Sequence, residues 1–479
     1  MESRAAQFLI HKPLEVARER IMKTMIRHLR ILLFVFLFGF LSANSFPAQA
    51  TQEQTSKEPF VFGKVDLTLL EQADLLDAKL TKEGLVYNDK ELEAYVNQIG
   101  QSLLPSGPPP ERVQWRFRVL RDPLANAFAL PNGSIYIHSG LLSLLENESQ
   151  IAGVIAHEIA HVRERHSYHS YRSMRKKALA INLLAVAGSF APINTVGTVI
   201  AVAASVSQHL LVFSIFGYSR ELERDADYFA ANRLIESKYN VRELAGAFKL
   251  LGKDFEGDAG EAPIFYRDHD KLEDRIKAVN QFIAGRDVEL EPADAQADRV
   301  RYLAATEKVA RHNNQLSIDS RRYRTAIALS EKLVAANSNS ADNLAALADA
   351  YRQVGPRTPA LTDQERSDKG KKDLQKLRLR MTLDEEEKAL MATPTGQSVR
   401  QDNQRKAEEL YQKALALDPA NARAYLGLGL LHEAMGKPQQ AVTELRKFLE
   451  LQPQSAERQR VLRRIEAMEK ALAEAQPKN

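Results

Sequence analysis

Two histidines four residues apart, His157 and His161, lie in a stretch whose apolar residues Ile151, Val154, Ile155 and Ile159 recur with helical spacing, a combination that leaves few folds open. Helix positions i and i+4 share a face, so both imidazoles point at one place and can hold a single Zn²⁺ between them. The surrounding branched side chains require the helix to be partly buried, so the fold must bring further polar groups to the same face. Asn147-Glu148-Ser149 offers capping side chains at the helix start. Glu158, beside the first imidazole, is placed to accept a proton from a metal-bound water.

A catalytic zinc needs a third protein ligand and an open position for water. The run from Ser219 to Asp227 supplies two candidates, because Glu223 and Asp227 are four apart and project from one helical face. One carboxylate can bind the metal while the other accepts a hydrogen bond from a ligand histidine and fixes its tautomer. There are no cysteines, which excludes disulfides, thiol catalysis and a Cys-ligated metal. A formal net charge of +4 over 479 residues is too small and too dispersed to argue for a nucleic-acid partner.

The pattern His-Glu-x-x-His-Val-x-x-Arg-His at 157–166, followed by Ser-Arg-x-x-Glu-x-x-Ala-Asp at 219–227, resembles the CAAX-prenyl-protease/HtpX family of gluzincin metallopeptidases. The likeness extends to Asn126-Ala127-Phe128-Ala129-Leu130-Pro131-Asn132-Gly133, where Asn132 replaces the usual Gly, and to His269 through Ile276, where Asp270 replaces the usual Pro. It covers about residues 60–285. It implies one Zn²⁺ per chain held by His157, His161 and Glu223, with Glu158 as general base, Asp227 beside a ligand histidine and Arg275 partnering the developing oxyanion. It also implies an α+β zincin-like domain, mostly helical, with a small sheet. The alternating segment Ser134 to His138 reads as a strand. By resemblance this strand is an exposed edge at the cleft where a substrate peptide adds as another strand, with Asn126, Gly133, Ile135 and Ile137 as the substrate-strand residues. In some relatives the histidine matching His269 occupies the open zinc position, so His269 is either a latch or a structural residue. His166 and His169 continue the motif helix off the ligand face, and His209, inside an apolar run, reads as a core histidine.

Lys23, Arg27 and Arg30 precede the apolar stretch Ile31 to Leu41, and Pro47-Ala48-Gln49-Ala50 offers a cleavage site. Residues 1–50 therefore read as a cleavable signal peptide leading to the periplasm, and the protease domain as 51–290. Between Ala178 and Ser219 there is no Asp, Glu, Lys or Arg, but Pro192-Ile193-Asn194 interrupts the run. A helical hairpin at about 178–219, packed on the protease or in peripheral contact with a membrane, is preferred over a span.

Leu417-Asp418-Pro419 recurs as Leu451-Gln452-Pro453 at a spacing of 34 residues, the tetratricopeptide period. Tyr425, Leu428, Gly429, Gly436, Ala441 and Leu445 fall at that repeat's packing positions. An all-α tetratricopeptide-repeat array at 300–475 follows, with a first degenerate repeat at about 300–338, a charged insert at about 356–403 and a capping helix at 455–473. The region 286–299, with Pro292, reads as a short linker, so chemistry is assigned to 60–285 and partner binding to the array.

Export signal, protease and repeats together resemble the quality-control proteases of this family in Gram-negative envelopes. The likeness implies unfolded or stalled outer-membrane proteins as substrates, docking to the barrel-assembly machinery through the repeats, and a chaperone-like contribution. The competing readings are an integral-membrane protease and a scaffold or chaperone with a latent zinc site.

Overall fold

The computed structural model describes residues 61–178, 218–257, 269–286, 295–360, 362, 367 and 383–475. The signal segment at 1–50, His209 and most of the apolar stretch at 178–219 lie outside the described residues, and no described helix is long and apolar enough to cross a membrane.

Helices α1 (Lys64–Lys82) and α2 (Lys90–Ser102) precede three short strands, β1 (Arg116–Leu120), β2 (Ala127–Ala129) and β3 (Ser134–His138). Asp89 starts α2 by accepting from the Glu91 and Leu92 amides, as an N-cap carboxylate does. The sheet order is β1-β3-β2, with β1 and β3 parallel and β2 and β3 antiparallel. Its β2–β3 turn forms despite Asn132, whose side chain accepts from the Ser134 amide at 3.0 Å and donates to Asp74 at 2.8 Å. Gly133 follows at φ +95°, where an added Cβ would meet the Gln114 carbonyl oxygen at 2.5 Å, so the backbone itself requires glycine.

The short α3 (Ser139–Leu144) leads into α4 (Glu148–Arg163), started by the Asn147 side chain accepting from the Gln150 amide. Every residue of α4 from Ser149 to Val162 is buried, as expected of a helix at the centre of a domain. Helix α5 (His166–Ala178) follows, then α6 (Arg220–Glu236), α7 (Arg242–Gly257) and α8 (His269–Ala284). The buried side of α6 is Ala226, Ala230, Ala231 and Leu234; these small residues let its backbone come close to α4.

Helix α9 (Ala295–Asp319) crosses the boundary expected between protease and array. Tyr302 and Val309 belong to the protease core, whereas Ile318 belongs to the core of the array. The fully buried Tyr302 donates its hydroxyl to the Leu142 carbonyl at 2.6 Å. From α10 (Tyr323–Ala336), Lys332 donates to the carbonyls of Ser143 at 2.9 Å, Leu144 at 3.3 Å and Leu145. A cation thus satisfies the free carbonyl end of α3, while burial holds its amine down at about 8. Arg322 adds a bond to the Pro123 carbonyl at 2.7 Å. The helices that the sequence assigns to a first degenerate repeat therefore bond to the protease, while Ile318, Ala326 and Ile327 enter the core of the array.

The array continues with α11 (Ala341–Val354), α12 (Leu383–Met391), α13 (Pro394–Leu417), α14 (Ala422–Ala434), α15 (Pro438–Leu451) and α16 (Arg458–Ala475). Helix α13 begins inside the expected insert, because Thr393 caps it and Pro394 suits its first turn. Tyr411 fills the space that Gly427 leaves and donates to Asp349 at 2.6 Å.

Because Tyr302 fills the protease core, Tyr302→Ala is expected to cost about 3–5 kcal/mol and Tyr302→Phe only about 1 kcal/mol. Urea denaturation followed by circular dichroism measures both. A fragment ending near residue 290 is expected to lack a cooperative transition, whereas a self-contained fold of 60–285 would give a normal melt.

Candidate metal centre

Helix α4 brings His157, Glu158 and His161 together in the buried interior, with one donor atom of each within 4.8 Å of the others. The two Nε2 atoms face each other at 2.9 Å. From α6, Glu223 turns its carboxylate to both, with Oε2 at 3.4 Å from His157 Nε2 and Oε1 at 3.8 Å from His161 Nε2. Glu223 Oε2 is buried and faces only the charged or chargeable nitrogens of His157 and Arg275, at 3.4 and 3.2 Å. Two imidazole nitrogens and a carboxylate oxygen converging on one point are the donor set that suits Zn²⁺.

The outer side of His157 is fixed by Asp227, one helical turn after Glu223, with Oδ1 at 3.0 Å from Nδ1. Arg275 from α8 clamps both carboxylates. Its Nε and Nη2 donate to Asp227 at 2.9 and 2.7 Å, its Nη1 lies 3.2 Å from Glu223 Oε2, and its guanidinium stacks on Phe248 at 4.1 Å. The expectation of an oxyanion partner is corrected here: these nitrogens face carboxylates, so Arg275 is placed to hold Asp227 and Glu223.

Charge and burial oppose one another throughout the site. Burial raises Glu158 to about 7, against the pull of His157 and a hydrogen bond from the Ala129 backbone. Burial also raises Glu223, but Arg275 and His157 outweigh it and hold the carboxyl down at about 2. For His157 burial favours the neutral ring, yet the hydrogen bonds to Asp227 and Glu223 lift it to about 9. The carboxylates thus draw positive charge to the point where a divalent cation would satisfy them. Burial and the neighbouring His157 keep His161 neutral, well below its usual range.

Three expectations change. First, β3 is the central strand, paired on both sides and buried along its whole length, so Ile135 and Ile137 cannot offer an edge. Asn126 and Gly133 serve the β2–β3 pairing instead: Asn126 accepts from the His138 amide at 2.9 Å, and the Gly133 amide donates to Leu130 at 3.0 Å. The strand edge beside Glu158 is that of β2. A continuous apolar strand and an edge strand cannot be told apart by alternation over five residues, which is why the sequence misplaced it.

Second, His166 is not rotated away from the site. Helix α4 ends at Arg163, Arg165 adopts a left-handed conformation at φ 56°, and the reversed chain brings His166 Nδ1 to 2.8 Å from His161 Nδ1. A helix break at a non-glycine residue leaves no clear sequence signal. The other missed residue is Tyr218, which stacks on His161 with ring centroids 4.0 Å apart. His169 is exposed. Third, His269 opens α8 instead of standing in a loop, and its side chain lies outside the described residues.

Residues 90–283 match the model of Peptidase family M48, and residues 399–465 match a tetratricopeptide repeat model. The mitochondrial metalloendopeptidase OMA1 of Schizosaccharomyces pombe is 26% identical over 183 residues, 38% of this chain and 50% of that protein. The beta-barrel assembly-enhancing protease of Escherichia coli K12 is 31% identical over 109 residues, 23% of this chain and 22% of that protein. The beta-barrel assembly-enhancing protease of Yersinia pestis is 38% identical over 82 residues, 17% of this chain and 16% of that protein. The chain thus spans half or less of the length of these relatives. Residues 90–283 are a Peptidase family M48 domain, joined to a tetratricopeptide-repeat region at 399–465.

Proposed function

We propose that the chain is a zinc metalloendopeptidase in which His157, His161 and Glu223 hold one Zn²⁺ and Glu158 is the general base. The observation that carries the reading is the buried convergence of the two Nε2 atoms and the Glu223 carboxylate. A Zn²⁺ held there would supply Lewis acidity and would make an attacking water easier to deprotonate. Glu158 takes a proton from the attacking water and returns it to the leaving amine. Asp227 orients His157, and Arg275 holds Asp227 and Glu223 in register.

The wider role extends this reading. Residues 23–50 have the form of an export signal, and relatives carry the name beta-barrel assembly-enhancing protease. Together these support work in the periplasm on unfolded or stalled outer-membrane proteins. In this reading the array docks the barrel-assembly machinery, and any membrane contact of 178–219 is peripheral. The stretch 178–219, without Asp, Glu, Lys or Arg, keeps an integral-membrane protease as the second reading. Extraction of native membranes at alkaline pH separates the two: release into the supernatant supports peripheral contact, and retention in the pellet supports a span.

Glu158→Gln is expected to keep about one zinc per chain, by metal analysis, while casein hydrolysis falls by about 10²- to 10⁴-fold or more. His161→Ala and Glu223→Ala are expected to lose the metal, and full zinc in His161→Ala would overturn the ligand set. Asp227→Asn is expected to weaken zinc binding by about 10- to 100-fold, read by chelator competition.

A further inference from the structure

His161 is enclosed from three directions, and the metal reading above uses only one of them. Its Nε2 faces His157 and Glu223, its Nδ1 meets His166 Nδ1 at 2.8 Å, and one face of its ring is covered by Tyr218 at an interplanar angle of 21°. Tyr218 touches more than one partner. Its hydroxyl pairs with Ser167 Oγ at 2.8 Å, and its backbone amide donates to Glu223 Oε1 at 3.4 Å. Residues from three elements therefore form a closed circuit running His161, His166, Ser167, Tyr218, Glu223. The circuit includes two of the three residues assigned as ligands.

The local sequence explains how Tyr218 arrives there. Ser219 stands at the N-terminal boundary of α6, and its carbonyl accepts the Glu223 amide at 2.9 Å. Tyr218 is therefore held one residue outside the helix, where its own amide still points along the first turn towards the Glu223 side chain. On the opposite side, the left-handed Arg165 reverses the chain and delivers His166 and Ser167 together. A left-handed non-glycine residue is strained, and such strain persists only where neighbouring contacts hold it. The His161–His166 and Ser167–Tyr218 contacts are the neighbours that do so here.

We propose that Tyr218 and His166 are positioning residues of the metal centre: Tyr218 fixes the ring plane of His161 and the rotamer of Glu223 together, and His166 fixes the His161 tautomer. Asp227 does the equivalent work for His157, so the two histidines are oriented by different chemistry, a carboxylate for one and an imidazole with an aromatic lid for the other. An imidazole partner adds no negative charge, which leaves His161 a weaker electron donor than His157 and the cation more Lewis-acidic than two carboxylate-backed histidines would make it.

This inference rests on the zinc reading, and its test separates the two. The full-length protein is titrated with Zn²⁺ against a chromogenic chelator, and with Co²⁺ by visible absorption, for wild type, Tyr218→Phe, Tyr218→Leu, Tyr218→Met and His166→Leu. The metal-free melting temperature of each is recorded alongside. Tyr218→Phe keeps the ring and the amide and is expected to bind zinc within about threefold of wild type. Tyr218→Leu and His166→Leu are expected to bind about 10- to 100-fold more weakly, with an altered Co²⁺ spectrum and a metal-free melt close to wild type. Tyr218→Met, apolar and of similar length but without a ring face, reports the same loss if the leucine variant fails to fold. Zinc affinity within threefold of wild type in the folded Leu or Met variant overturns the role of Tyr218. Normal affinity in His166→Leu overturns that of His166. A wild type that binds no zinc overturns the metal reading itself.

Discussion

The structure is organised around charge held inside an apolar helix. Helix α4 is buried on all sides, yet its centre carries two imidazoles and a carboxylate. An unpaired charge in such a place is costly enough that neighbouring elements must compensate it or the group must neutralise. Here α6 brings two carboxylates, and α8 brings a guanidinium that grips both. Removing one partner leaves the others uncompensated, so these groups depend on one another more than on the apolar contacts around them.

Packing follows from that requirement. Glu223 and Asp227 reach α4 only because the buried side of α6 is lined with alanines, where larger residues would push the helix away. Arg275 reaches them over the Phe248 ring, which covers the guanidinium without competing for its donors. The β2 edge closes the remaining side through the Ala129 backbone bond to Glu158. The cluster is therefore held by backbone-anchored elements on every side, which is the preorganisation a hydrolytic centre needs.

Much of this was legible in the residues. Two histidines at i and i+4 on an apolar stretch, and two acids at i and i+4 on another, require only helix geometry to be read as opposing faces, and both helices form. The turn at Asn132 and Gly133 was also open to reading, since an Asx side chain followed by glycine has a defined turn chemistry. What escaped depended on tertiary context. No local rule announces that Arg165 turns left-handed, so the sequence gives no sign that the chain reverses before His166. Strand order is equally invisible to alternation, so the central place of β3 between β1 and β2 does not show in it. The double role of α9 escapes for a related reason: apolar residues on several sides of a helix do not say which core each one enters.

That shared helix bears on how chemistry and recognition are joined. A flexible tether between α8 and the array would let the repeats move independently of the cleft. Instead α9 contributes Tyr302 and Val309 to one core and Ile318 to the next, while Lys332 and Arg322 bond to α3 and to the segment that leads into β2. Between the Arg322 contact at Pro123 and β2 lie only residues 124–126, so the strand edge beside Glu158 is anchored at one end by the array's first helices. Protease and array keep separate cores, and the helix that enters both ties the later repeats to the stack that supports the β2 edge.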